Sequence, residues 1–102
     1  LPVADDRADP SWFGFPITVQ EGQSRNELVQ TLEKANIETR NVFAGNITLQ
    51  PGYADIEKRV HGELVNTDRV MRDTFFVGVY PGLGEPQIDF MLERFAEFFR
   101  SH

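Results

Sequence analysis

Arg40 is the residue in this sequence best suited to bind an anion. It stands in "IETRNVFAGNITLQP", residues 37–51, two positions after the carboxylate of Glu38 and six before the amide of Asn46. A guanidinium is a planar fork of donors that matches a carboxylate or phosphate with two parallel hydrogen bonds, and it keeps its charge when partly buried. Asn46 carries both a donor and an acceptor, the pair that a neutral hydroxyl needs. The same spacing also allows a local outcome. Arg40 then pairs with Glu38, or with the acidic helix before it, and holds no ligand.

Other chemistry is thin. His61 titrates near neutral pH by type, but it stands in the charged stretch "KRVHGE" with no defined partner and reads as a solvated histidine. His102 ends the chain and is expected to fray. Glu21, Glu27 and Glu33 read as a solvated helical face. The glycines of "YPGLGEP" resemble a phosphate loop, yet Pro81 and Pro86 mark a turn leading into a helix. Asn46-Ile47-Thr48 matches a glycosylation triplet and reads as incidental. No spacing fits a zinc site, a nucleophile elbow or a Ser/His/Asp set. The chain has no cysteine, so a disulfide or thiolate chemistry within it is excluded. No catalytic residue and no metal ligand is expected in this segment.

Ten basic and sixteen acidic residues give a net charge of −6 over 102 residues. The cations are scattered, with no run longer than Lys58-Arg59, which disfavours nucleic acid and anionic membrane alike. No apolar run approaches the ~18 residues of a membrane span. The opening "LPVADDRADP" lacks a signal pattern, so a cytoplasmic protein, or a piece cut from one, is the expectation.

These side chains must be positioned by regular elements. Residues 1–10 are acidic, bounded by proline, and read as a linker. "WFGFPITV" alternates, which predicts a strand with Phe13, Phe15, Ile17 and Val19 on one face. Pro16 donates no backbone hydrogen bond and predicts an edge strand or a bulge. Ser24 and Glu27 have capping-box spacing, Leu28, Leu32 and Ala35 form an apolar stripe, and Asn36 suits a left-handed stop. A helix over 24–36 follows. Arg40 lies in a short strand that ends in turns at "AGN" and "QPGY". Residues 52–65 read as loop, with a short strand near Val60. "NTDRVMRD" opens on cap-type residues and predicts a short helix, and "TFFVGVYPG" a strand ended by Pro81-Gly82. Pro86 suits the first turn of a last helix, along which Ile88, Met91, Leu92, Phe95, Phe98 and Phe99 form an apolar side. That side reads as core rather than as an aromatic ligand platform. With nine phenylalanines in so small a chain, some aromatics are expected to pack against something outside it. The order strand, helix, strand, loop, helix, strand, helix predicts an α+β two-layer sandwich.

"SWFGFPITV", "ETRNVFAGNITLQP" and "GELVNTDRVMRDTFFVGVYPGLGEPQIDFMLERFAEFF" also carry a resemblance. Over residues 11–100 the chain resembles the carboxyl-terminal end of the DegT/DnrJ/EryC1/StrS family of pyridoxal-phosphate-type enzymes. Within it, the sugar-nucleotide 3-dehydratases are the nearest branch, foremost those acting on CDP-4-keto-6-deoxyglucose. Asn41 departs from the pattern, where an apolar residue is expected, and "GYADIEK" is not placed against it. The resemblance implies that residues 11–102 are the small domain of a fold-type I enzyme, a small antiparallel or mixed sheet with helices on one face. The large domain would hold pyridoxamine or pyridoxal 5′-phosphate and, in CDP-sugar members, an iron–sulfur (2Fe-2S) cluster. A CDP-hexose as ligand, a homodimeric parent and a flavin/iron–sulfur reductase as partner are further implications. So is a substrate-binding role for Arg40, with Glu38 orienting it and Asn46 near the sugar. The fragment alone would be inactive. A sugar-nucleotide aminotransferase domain and a stand-alone α+β binding module are the alternatives.

Overall fold

"TFFVG" is the densest run of branched and aromatic residues in the chain, and the sheet is built around it. The computed structural model describes Leu1–Ser101, and His102 with its expected fraying lies outside the described residues. In chain order the elements are β1 (Gly14–Thr18), α1 (Arg25–Lys34), β2 (Thr39–Asn41), α2 (Val65–Asp73), β3 (Thr74–Gly78) and α3 (Glu85–Ser101). Two 3-10 turns, Ile47–Leu49 and Pro51–Tyr53, lie between β2 and α2. The sheet order is β1-β3-β2, with both outer strands antiparallel to β3. Pro16 therefore sits on an edge strand, where its missing N–H costs no ladder bond.

Helix α1 forms where its caps and stripe predict. The Ser24 hydroxyl accepts from the Glu27 amide at 3.2 Å, Asn36 stops the helix at φ 59°, and Leu28 and Leu32 are fully buried. Directly opposed residues of an antiparallel pair share a face. Phe15 and Ile17 thus lie with Val77 and Phe75, on the side where Val19, Leu28, Leu32, Ile37 and Phe98 complete the core. Met91 and Phe95 of α3 pack against that core, whereas Ile88, Leu92 and Phe99 stay exposed. The apolar side of α3 is wider than the surface this small sheet offers it.

Three expectations fail locally. Phe13 does not join Phe15 and Ile17. It precedes β1, and its ring lies 5.8 Å from Phe76, whose neighbours in the ladder are Pro16 and Arg40 on the opposite face. A side chain at Gly14 would collide with the Phe76 ring, so glycine leaves that ring free to lie over the strand and take Phe13 at its edge. No strand forms at Val60, because residues 54–64 are neither helix nor strand, and Lys58, Arg59 and Glu63 leave no alternating apolar face to bury. Helix α2 starts at Val65 with Leu64 as an N-cap that makes no side-chain bond. The carboxylate of Asp68, read as part of a cap, is used elsewhere.

Candidate functional site

Strand β2 puts Arg40 opposite Phe76, on the sheet face away from the α1/α3 core. Its guanidinium meets a single oxygen of Glu38, with Nη2 at 2.7 Å and Nε at 3.1 Å from Oε1. Both side chains are exposed, 68% and 73%. The local pairing allowed by the spacing is thus formed, in an open setting where it contributes little to stability. Three of the guanidinium's five N–H donors make no bond to Glu38.

Asn46 has a different environment. It is 3% exposed, and its amide is spent within the chain. Nδ2 donates to Asp68 Oδ1 at 2.7 Å, while Oδ1 accepts from the Thr48 amide at 3.1 Å and the Thr48 hydroxyl at 2.6 Å. Buried polar groups need such partners, and this set ties the turn after β2 to α2. The Gln50 side chain donates to the Ala44 carbonyl at 2.9 Å. Gly45 has φ 60°, and a Cβ there would meet Met71 of α2. Asn46 therefore builds the turn from beneath and makes no bond to Arg40 or Glu38. Buried in this way, it is not presented as a glycosylation acceptor either.

The turn displays Phe43. This residue has φ 45°, a left-handed backbone that bulky residues rarely adopt. Its amide donates to the Asn41 carbonyl at 2.7 Å. The ring lies 6.3 Å from that of Phe76 and is 80% exposed.

Sequence reasoning passed over Phe43, whose one signal was an aromatic residue immediately before an Ala-Gly turn. It also missed two structural residues. Arg25 Nη1 donates to the carbonyls of Met71 at 3.0 Å and Thr74 at 3.4 Å and to Asn41 Oδ1 at 3.2 Å. That bond accounts for a polar residue at position 41, where an apolar one was expected. Glu33 is not merely solvated: its Oε1 accepts from both the amide and the hydroxyl of Thr39 at 2.7 Å. These two bonds, the hydroxyl's first, hold its carboxyl below its ordinary value of 4.5 by favouring the charged form. His61 is exposed in its loop. "YPGLGEP" is a turn closed by Leu83 N–H to the Tyr80 carbonyl at 2.9 Å, followed by Gln87 capping the Gly84 amide at 3.1 Å.

Two cavities flank α3. One of about 900 Å³ is walled by residues such as Phe15, Val79, Leu83 and Phe95. The other, about 510 Å³, includes Glu38, Tyr80 and Gln87. Neither is lined by a lysine or an arginine, and Lys58 is turned to the carbonyls of Tyr53 and Ala54. A phosphorylated pyridine cofactor does not fit these residues alone, for want of a cationic cradle or an amine. No group of three or more His, Asp or Glu among the described residues is placed to hold a metal ion. Nor is any helix among them long and apolar enough to cross a membrane.

The comparisons with known proteins agree with one another. The DegT/DnrJ/EryC1/StrS aminotransferase family matches residues 1–96. The lipopolysaccharide biosynthesis protein RfbH of Salmonella typhimurium is 52% identical, over 97% of this chain and 23% of its own length. The dTDP-4-dehydro-2,6-dideoxy-D-glucose 3-dehydratase of Saccharopolyspora spinosa is 48% identical, over 96% of this chain and 22% of its own. The chain thus spans less than a quarter of the length of these relatives. Among solved structures, the Escherichia coli GDP-4-keto-6-deoxy-D-mannose-3-dehydratase with bound hydrated PLP superposes with a TM-score of 0.74. It is 28% identical and covers 81% of this chain and 22% of that one. A second structure of this dehydratase, a mutant with bound GDP-perosamine, gives 0.73 at the same identity and coverage.

Proposed function

The chain belongs to the DegT/DnrJ/EryC1/StrS aminotransferase family, and from that premise we propose that it is the C-terminal small domain of a sugar-nucleotide 3-dehydratase. Residues 11–102 form the domain and residues 1–10 link it to a larger one. The parent removes the C3 hydroxyl of a nucleotide-linked 4-keto-6-deoxyhexose in deoxysugar or lipopolysaccharide synthesis. The observation that carries this reading is the 48% identity to a 3-dehydratase along 96% of the chain.

Pyridoxamine phosphate supplies the electron-sink chemistry and is held by the large domain, a reading supported by cavities here that carry no lysine or arginine. A CDP-hexose as substrate, a 2Fe-2S cluster in the large domain, a flavin/iron–sulfur reductase partner and a homodimeric, cytoplasmic parent complete the proposal. Within this chain, Arg40 takes the anionic group of the substrate, and Glu38 orients the guanidinium until it does. Asn46 fixes the turn that borders the ligand. None of the three moves a proton or breaks a bond.

The test uses the full-length protein with pyridoxamine phosphate, reductase and CDP-4-keto-6-deoxyglucose. Mass spectrometry is expected to show loss of the C3 oxygen, and Arg40→Ala to weaken sugar-nucleotide binding by tenfold or more. An amino sugar formed with glutamate as donor would instead establish the aminotransferase reading that the family's name keeps open. Turnover and binding untouched by Arg40→Ala would remove Arg40 from the site. The isolated chain is expected to leave the absorption of pyridoxamine phosphate unchanged. A shift would show that the cofactor site is here after all.

A further inference from the structure

We infer that Phe43 is the residue against which the nucleobase of the sugar nucleotide stacks, beside the anion held by Arg40. This rests on the sugar-nucleotide reading above and adds a ligand contact to it. Three observations carry it. First, Phe43 pays a conformational cost that no core contact returns: it is a bulky residue at φ 45°, yet 80% of it faces solvent. Backbone strain of this kind persists only where the surroundings impose it. Second, the surroundings do impose it. The Asn46–Asp68 and Asn46–Thr48 bonds, the Gln50–Ala44 bond and the seating of Gly45 on Met71 lock the turn before any ligand arrives. The ring is therefore presented rather than left loose, and a preorganised ring loses little entropy on binding.

Third, the ring shares a sheet face with Arg40. Arg40 opposes Phe76 in the ladder, and Phe43 packs on Phe76 from the turn that follows β2. A cation and an aromatic face side by side are the two elements that a nucleoside diphosphate needs. The guanidinium neutralises the phosphates, and the ring accepts the base through stacking that tolerates any base.

The experiment measures binding to the full-length enzyme by calorimetry, with CDP and inorganic pyrophosphate as probes. Phe43→Gly removes the ring and relieves the strain, so its unfolding midpoint is expected to equal or exceed that of the wild type. CDP affinity is expected to fall about tenfold, with pyrophosphate affinity unchanged and Phe43→Tyr restoring CDP binding. Arg40→Ala is expected to weaken both probes. Equal CDP binding by wild type and Phe43→Gly would overturn the assignment while leaving the sugar-nucleotide reading intact. So would a Phe43→Gly protein that unfolds several degrees earlier, or that loses CDP and pyrophosphate to the same extent, since the ring would then serve the fold. A wild-type enzyme that binds neither CDP nor dTDP nor GDP would overturn the sugar-nucleotide reading and this assignment with it.

Discussion

Phe75 and Phe76 are neighbours in one strand and have opposite surroundings. Phe75 is fully buried between the sheet and the α1/α3 layer. Phe76 is buried too, but on the opposite face, where it lies against Gly14 and the rings of Phe13 and Phe43, which are themselves 76% and 80% exposed. The first face spends its apolar surface on stability. The second keeps aromatic surface at the boundary with water, next to an arginine whose charge is half-engaged by an exposed carboxylate. Binding surfaces have this composition, aromatic and arginine side chains at a partly wet edge, more often than domain cores do.

The contrast is broken most directly by truncating one ring on each face. In the full-length protein, denaturant unfolding is expected to show Phe75→Ala costing about 3–5 kcal/mol, from lost burial and the cavity left behind. Phe13→Ala should cost under about 1 kcal/mol, because its ring is already mostly hydrated. Equal costs would make the second face a core and end the distinction. The next largest effect lies beneath the turn. Asn46→Ala strips Asp68 and Thr48 of buried partners and is expected to cost about 1–3 kcal/mol. It should also reduce sugar-nucleotide binding, although Asn46 makes no contact with Arg40. Unchanged binding would show that the turn does not position the ligand face.

The smallest effect belongs to the core side. The carboxylate of Glu33 clamps Thr39 from solvent, and its folded-state proton affinity is depressed. Its contribution is therefore fully present above the ordinary value of 4.5 and fades as pH falls through the lower folded value. Protection of the Thr39 amide, its exchange measured against the intrinsic rate at the same pH, is expected to fall below about pH 4.5 in the wild type and to be lower throughout in Glu33→Gln. A Thr39 amide whose protection does not follow pH would show that β2 is held by the ladder alone.

Much of the first face was legible in the sequence, because its signals are local. Ser24 with Glu27, the spacing of Leu28 and Leu32, and Asn36 lie within one helix and specify it completely. The run Thr74–Gly78 identifies itself as a strand by composition. The second face was not legible, because its bonds join residues far apart in the chain. Asn46 reaches Asp68 across 22 positions; the one such bond on the α1 side, from Arg25 to Met71 across 46, was missed for the same reason. No periodicity encodes such pairs, so Asp68 read as a cap, and the buried bonds of Asn46 went unforeseen. Phe13 read as core because alternation was carried one residue past the point where Gly14 ends the strand.

The sheet order also fixes when this domain can exist. Strands β1 and β2 each pair with β3 and not with each other, and β3 is the last of the three in chain order. A ribosome that has released every residue before Thr74 has released two strands without a partner and a helix without a floor. Closing those contacts across long stretches of chain is slow relative to local helix formation. The apolar residues of β1 and α1 thus spend the synthesis of about fifty further residues unprotected. Until β3 is present, the apolar surface of β1 and α1 has no sheet to cover it, so the pairing order leaves this domain without a stable half.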